Sequence, residues 1–378
     1  IVFGIVGEVL EKATGEKYED LVQKYIFDKM GMFESSCIPL KCEENFFSYV
    51  KYRFSRISYE IKKYGFWVAI GKCFNSIFAH KIHEVVTNHS RYNNTIYPLE
   101  KNDFFQKFPA TSAIGMSAND LAKWLLMLSN KGTYNSIRIV SEEVFNELTS
   151  NMVDISNLKD DDVTFCIQRF DREGLYYGCG IFSTQYSDFG KNKRQAFFHM
   201  GGTYGSACFL AYSPKDDIAI GVLCNLGGVS QTLFSEYMTL QFLDLCFDFS
   251  KIDWTNRDLE RKERFERKNK EFKDSINQNI SPMEDIDKYV GTYTNDLYGD
   301  IKVYKENEDL ILSAGIRIVT LKHLNGNVFE FPAKDILYSY FDTDEYAMFL
   351  KDNYENIDTL KLSCFHENNV AFKKVDRK

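Results

Sequence analysis

The 378-residue sequence lacks several features that would settle its class at once. No apolar run reaches the roughly 18 residues of a membrane-spanning helix. No CxxC pair occurs, and nine cysteines at irregular spacing argue against a disulfide framework and for mostly free thiols. The six histidines form no HExxH or CxxC…HxxxH pattern, so they give little support to a metal site. Positive charge is not in excess. The net formal charge is -8, whereas a nucleic-acid binder carries a basic patch, so nucleic acid is not an expected partner. An initiating Met and an N-cap are also missing before the first helical pattern, because Ile1, Val2, Ile5, Val6, Val9, Leu10 and Ala13 already form one apolar stripe. The sequence therefore reads as a fragment or a processed product. A signal peptide would precede Ile1, which leaves the compartment open.

What is present suits a large folded chain. Hydrophobic residues make up 44% and aromatics 15%, and the length favours two domains. The first helix stops at Gly15, and a second, with Leu21, Val22, Tyr25, Ile26 and Met30 on one face, stops at Gly31. Residues 40–108 carry Lys51, Arg53, Arg56, Lys62, Lys63, Lys72 and Lys81 among many aromatics. They read as a helical insertion packed on the body; the alternatives are a lid over a cleft or a membrane-surface contact through residues 50–85. Ser117-Ala118-Asn119-Asp120 is an N-cap with an acid three residues on, and Ser141 starts a further helix. Tyr176 to Ser183 reads as a strand, and residues 229–248 as a helix through Leu233, Tyr237 and Phe242.

These elements predict an α/β body over residues 1–250 with an antiparallel sheet covered by its two terminal helices. Residues 251–282 mix both charge signs at helical spacing and predict a solvated linker helix. From 283 to 378 the period shifts to two, with turns at Asn307-Glu308-Asp309 and Asn325-Gly326-Asn327. This predicts a small all-β, barrel-like domain.

The organising stretch is Phe197-Phe198-His199-Met200-Gly201-Gly202-Thr203-Tyr204-Gly205. It places one imidazole before three glycines in five residues. An apolar run from Ser206 to Tyr212 follows, then a turn at Pro214-Lys215-Asp216-Asp217 and a returning strand from Ile218 to Cys224. The pattern predicts a sheet edge with an open backbone, where a substrate can lie along the strand and turn a carbonyl to free N–H groups. Read without context, a lone His beside aromatics is a hydrogen-bonded core residue.

Three stretches together resemble the β-lactamase-related serine hydrolases, which include class C β-lactamases, DD-peptidases, D-aminopeptidases and esterases. They are GIVGEVLEKATGEKYEDLVQKYIFDKMGM within residues 1–33, SAIGMSANDLAKWLLMLSNKGT over 112–133, and the segment ending HMGGTYGSACFLAYSPKDDIAIGVLCNLGG at 228. Asp253-Trp254 and the later YVGTY…YGDIKVY resemble a C-terminal barrel often appended to such proteins. The resemblance implies an acyl-enzyme mechanism on amides or esters: a D-amino-acid peptide, a β-lactam or a small ester. It needs a Ser-x-x-Lys, a Tyr-x-Asn and a Lys/His-x-Gly strand.

Only the third of these motifs is visible, as His199-Met200-Gly201. By the match, His199 would hold substrate or pass a proton, and Gly202 would donate its N–H to the oxyanion. Met200, Gly201, Gly202 and Thr203 would form the substrate-binding stretch, with Gly201 letting the substrate backbone close in. The other two motifs are expected before Ile1, so the chain alone is expected to be inactive. Ser48…Lys51, Ser156…Lys159 and Tyr92-Asn93-Asn94 match the missing motifs by chance, and Asp188-Phe189-Gly190 reads as a loop. The cysteines read as buried small residues rather than nucleophiles. The alternative function is a non-catalytic relative that binds peptide or cell-wall fragments.

Overall fold

The computed structural model describes residues 2–37, 57, 61, 66–67, 70–71, 86–92, 95–99, 109–156, 169, 174–203, 205–227, 229–276, 281–315, 317–331, 345–363 and 370–375. Most of the 50–85 segment, Ser48, Lys159 and the Asn93-Asn94 pair lie outside the described residues.

The body is built on a six-stranded sheet. Its members are β5 (Val153–Asp154), β6 (Tyr176–Tyr177), β7 (Phe182–Asp188), β8 (Lys191–Thr203), β9 (Ser206–Ser213) and β10 (Ile218–Cys224). They are ordered β10-β9-β8-β7-β6-β5, and every pairing is antiparallel. Two small hairpins precede them, β1 (His89–Tyr92) with β2 (Thr95–Pro98), and β3 (Thr133–Tyr134) with β4 (Ile137–Arg138). The expected strand from Tyr176 to Ser183 is broken in two. Gly178 donates its N–H to Ile181 O at 2.8 Å, and Gly180 takes φ +85°, so these residues turn instead of extending.

Alternation along β8 and β9 divides the core into two layers. Phe198 and Phe209, with centroids 5.8 Å apart, face the Val229–Cys246 helix, which contributes Tyr237, Leu240 and Leu243. Phe197 and Tyr212, stacked at 5.2 Å, face the Ala118–Ser129 helix and the 18–32 segment through Met127, Leu128, Phe27 and Met30. The Ala118–Ser129 helix starts as its sequence indicates, with Ser117 Oγ accepting from the Asp120 N–H at 3.2 Å. The Asp120 carboxylate is fully buried, and it accepts from the Glu34 N–H, the Ser35 hydroxyl and Lys123 Nζ at 2.7–2.8 Å.

Two expectations need correction. The closing helix covers the sheet, but the Val2–Thr14 helix does not: Val2, Ile5, Val6 and Val9 are exposed, and its buried residue is Gly7, against Ala110. The sheet's second face is covered by the Ala118–Ser129 helix instead. In the second helix, Gln23–Phe27 form a π turn between Tyr18–Val22 and Asp28–Met30. The wider turn rotates the inward face, so Val22, Phe27 and Met30 are buried while Tyr25 is exposed. Within the 40–108 segment the described residues 57, 61, 66, 67, 70 and 71 are helical, as expected, and its described end forms the β1–β2 hairpin.

The Trp254–Ile276 helix links body and barrel. Trp254 is 4% exposed, stacks on Tyr237 at 5.7 Å and donates its indole N–H to Asp244. Asp244 also meets the buried Arg169 guanidinium at 2.9 Å and the Tyr186 hydroxyl at 2.6 Å. At the other end of the helix, Phe272 packs edge-on against Tyr346, and Asn325 Nδ2 bonds Ile276 O.

The C-terminal unit is a closed eight-stranded up-and-down barrel of β11 (Gly291–Asn295), β12 (Gly299–Glu306), β13 (Asp309–Ala314), β14 (Arg317–Asn325), β15 (Val328–Phe331), β16 (Glu345–Lys351), β17 (Ile357–Leu362) and β18 (Phe372–Val375). Thr292↔Val375 and its neighbours close it. Period-two patterning sends Tyr293, Ile301, Val303, Leu312, Phe329, Phe349 and Phe372 inward. The Tyr293 hydroxyl donates to Tyr289 O, so its polar end is satisfied within the apolar interior.

Candidate active site

Strand β8 outruns its neighbour. β7 pairs with it as far as Phe182↔Phe198, and β8 then continues to Thr203 against β9 alone. Residues 199–203 therefore have no strand on their β7 side among the described residues. Thr203 pairs with Ser206 at the turn, and their hydroxyls bond at 2.5 Å. In an antiparallel ladder successive residues turn their N–H and C=O groups to opposite sides. With Thr203 and Ser206 closing the hairpin, alternation directs the Gly201 and His199 backbone towards β9 and the Gly202 and Met200 backbone towards the open edge. The Gly202 N–H is thus available to a ligand carbonyl.

The side chains follow the opposite parity. Met200 is half-buried and packs into the layer under the Val229–Cys246 helix, while His199 and Gly201 lie on the other face. Gly201 lies opposite Cys208, and a Cβ at 201 would sit 3.2 Å from its sulfur, closer than that pair accommodates without a shift. Burial pushes the Cys208 thiol up, which keeps it a protonated small residue.

His199 is half-buried. Desolvation lowers its pKa below the ordinary imidazole value, and a hydrogen bond to the Met200 backbone partly opposes this. The ring is therefore neutral at pH 7. Its side-chain contacts come from the β6–β7 hairpin. The Tyr177 hydroxyl stands 3.5 Å from Nε2, and the Phe182 ring lies 5.8 Å away, centroid to centroid. Tyr177 is a neighbour of His199 that the sequence does not announce. It lies 22 positions upstream, and its arrival depends on the Gly178–Ile181 turn, where the sequence pattern predicts continuous strand.

The far end of the stretch is closed by the β1–β2 hairpin. The His89 N–H donates to Asn225 O at 2.9 Å, the Gly227 N–H donates to His89 O at 3.0 Å, and Leu99 and Asn88 lie against Gly205. At φ +80°, with a Cβ there only 2.5 Å from the Leu99 side chain, residue 205 has room for glycine alone. The end of the 40–108 segment thus walls the strand end beside Thr203.

The structure therefore places His199, Gly201, Gly202 and Thr203 along a strand edge that has no β7-side neighbour among the described residues, with Met200 turned into the body. Ser156 lies just past β5, the last strand on the β7 side of the sheet, with its hydroxyl accepting from the Gly174 N–H. Among the described residues, no three His, Cys, Asp or Glu side chains gather as a metal site would require.

A family model described as Beta-lactamase matches residues 1–235, and one described as Domain of unknown function (DUF3471) matches residues 277–375. Among solved structures, the chain is similar to an octameric penicillin-binding protein homologue from Pyrococcus abyssi, at 17% identity and a TM-score of 0.42. That match covers 94% of this chain and 60% of that one. It is also similar to the C-terminal domain of a penicillin binding protein, at 26% identity over 26% of this chain and 91% of that one, with a TM-score of 0.22. A class C beta lactamase from Rhodobacter sphaeroides matches at 12% identity over 64% of this chain and 59% of that one, with a TM-score of 0.38. No curated protein matches the chain. The chain spans 60% of the length of the Pyrococcus abyssi protein.

Proposed function

The chain belongs to the beta-lactamase family, and from that premise we propose that its protein is a serine hydrolase that cleaves amide or ester bonds through an acyl-enzyme. Residues 199–203 form the substrate-side wall of its cleft. The observation that carries this reading is the edge of β8, unpaired among the described residues, which offers the Gly202 N–H beside a neutral imidazole. A carbonyl lying along that edge accepts from Gly202, and an N–H fixed in place before the reaction stabilises the oxyanion without reorganising. Neutral His199 supplies an acceptor at the same edge. It can receive a proton from substrate or nucleophile, and general base catalysis of that kind is worth on the order of 10²–10⁴-fold. Substrates are a D-amino-acid peptide, a β-lactam or a small ester.

Nucleophilic catalysis needs a serine within hydrogen-bond reach of its activating amine. Among the described residues, no Ser-x-x-Lys stands beside His199. Residues 1–378 alone are therefore expected to give no covalent adduct with a reporter β-lactam, a p-nitrophenyl ester or a fluorophosphonate, read by intact mass. The same residues within a longer chain that supplies a Ser-x-x-Lys are expected to acylate, and His199→Ala is expected to slow that step about a hundredfold. Acylation unaffected by His199→Ala would remove its role. A stoichiometric adduct on Ser48 or Ser156 of the 378-residue chain would relocate the nucleophile.

A further inference from the structure

The contact between Tyr177 and His199 carries more than packing. Tyr177 is held from two sides. Its strand pairs with β7 at Tyr177↔Phe182, and its ring packs against Phe182 at 4.5 Å while Phe182 stacks on Phe198 at 5.0 Å. The turn that follows leaves it little freedom, since a Cβ at Gly178 would meet Ser150 O at 2.8 Å. So anchored, the phenol presents its oxygen 3.5 Å from His199 Nε2, with the two ring planes inclined at 40°. That distance is long for a hydrogen bond, as contacts in resting catalytic sites often are before substrate tightens them.

We propose that Tyr177 is a positioning residue for His199: its hydroxyl donates to Nε2 and holds the imidazole as the tautomer protonated on Nδ1. The proposal rests on the hydrolase reading only for its consequence, not for its geometry.

The direction of the bond follows from what each group carries. A neutral imidazole has one N–H, so a phenol that donates to Nε2 leaves that N–H on Nδ1. Burial raises the Tyr177 pKa, with a smaller contribution from the neighbouring Cys179, so the phenol keeps its proton at neutral pH and can donate it. Among the described residues Tyr177 is the one titratable side chain in contact with the ring, so no carboxylate competes for it.

The arrangement matters for chemistry because the tautomer decides what His199 can recognise. Nε2 has one lone pair, so the Tyr177 O–H rotates off it before the ring takes a hydrogen bond from a substrate N–H or from the attacking hydroxyl. When Nε2 then receives a proton, the new N–H of the imidazolium donates back to the Tyr177 oxygen. Proton count is conserved, and the charge stays bonded.

The test is ¹⁵N NMR of the 378-residue chain labelled at histidine, with the His199 signals assigned by loss in His199→Gln. In the wild type, Nε2 is expected to be unprotonated and Nδ1 protonated. In Tyr177→Phe the two ring-nitrogen shifts are expected to move towards each other as the tautomers mix. Phe182→Leu loosens the ring packing but keeps the hydroxyl, and is expected to retain the wild-type pattern. A protonated Nε2 in the wild type overturns the proposal, and so does an unchanged spectrum in Tyr177→Phe. Equal mixing in Phe182→Leu overturns it too, by showing that packing sets the tautomer. If Tyr177→Phe does not fold, the wild-type tautomer and Phe182→Leu still decide. No turnover is required. The expected tautomer, found together with acylation that ignores His199→Ala, would sink the hydrolase role of His199 and leave this pairing standing.

Discussion

At the scale of residues, His199 ties the site to the stability of the fold. Burial holds its folded pKa below the ordinary value of about 6.5. The unfolded chain therefore takes up the proton first as pH falls. Stability is whole above the unfolded pKa and is lost progressively below it, until pH passes the lowered folded value. Urea midpoints of the wild type should fall as pH drops from about 7 to 5, and His199→Gln should flatten that slope. An undiminished slope in the variant would assign it to another histidine. Tyr177 shows where sequence reading stops at this scale. His199 was legible because a histidine before three glycines at a strand end is a local pattern. Tyr177 reaches it only through the β6–β7 turn, and nothing in the spacing of Tyr177 and His199 announces the contact.

Among the elements, the Trp254–Ile276 helix departs from the solvated linker that its charge pattern predicts. Its middle keeps that character, with mixed-sign residues such as Arg257, Glu260, Glu263 and Arg267 exposed. Its ends do not. Trp254 is enclosed by Tyr237 and Asp244, so Trp254→Ala should cost about 3–5 kcal/mol in urea unfolding of the body. A loss under about 1 kcal/mol would mean that the helix start is not anchored. One tryptophan in a polar run is a weak signal beside the charges around it, which is why the anchor was not legible. The Val2–Thr14 helix fails in the opposite way. Its apolar stripe is plain in the sequence, but a stripe tells only that a face is apolar, not that a neighbour covers it. The π turn at Gln23–Phe27 has no sequence signature at all, and it alone explains why Phe27 points inward and Tyr25 outward.

For the whole molecule, the barrel was the most legible part. Strands such as β12, β14 and β15 alternate, described turns such as Asn307-Glu308 and Gly326-Asn327 carry Asn or Gly, and closure needs only that the last strand meet the first. The barrel buries its own core of Tyr289, Phe329, Phe349 and Leu360 and should fold without the body. Residues 270–378 are expected to give a cooperative thermal transition and dispersed amide resonances. Residues 281–378 lack Phe272 and Ile276, and so lose the contacts to Tyr346 and Asn325; they should melt several degrees lower, since about 1 kcal/mol shifts a domain of this size by 4–8 °C. Failure of the longer piece to fold would make the barrel dependent on the body. The connecting helix has a further consequence. Anchored by Trp254 at one end and Phe272 at the other, it works as a screw with a fixed phase. Each residue inserted into its exposed middle advances the barrel about 1.5 Å and turns it about 100°. A single insertion would swing the barrel to another side of the body, whereas seven would return it almost to its original bearing about 10 Å further out. Length changes there are therefore tolerated by angle rather than by distance.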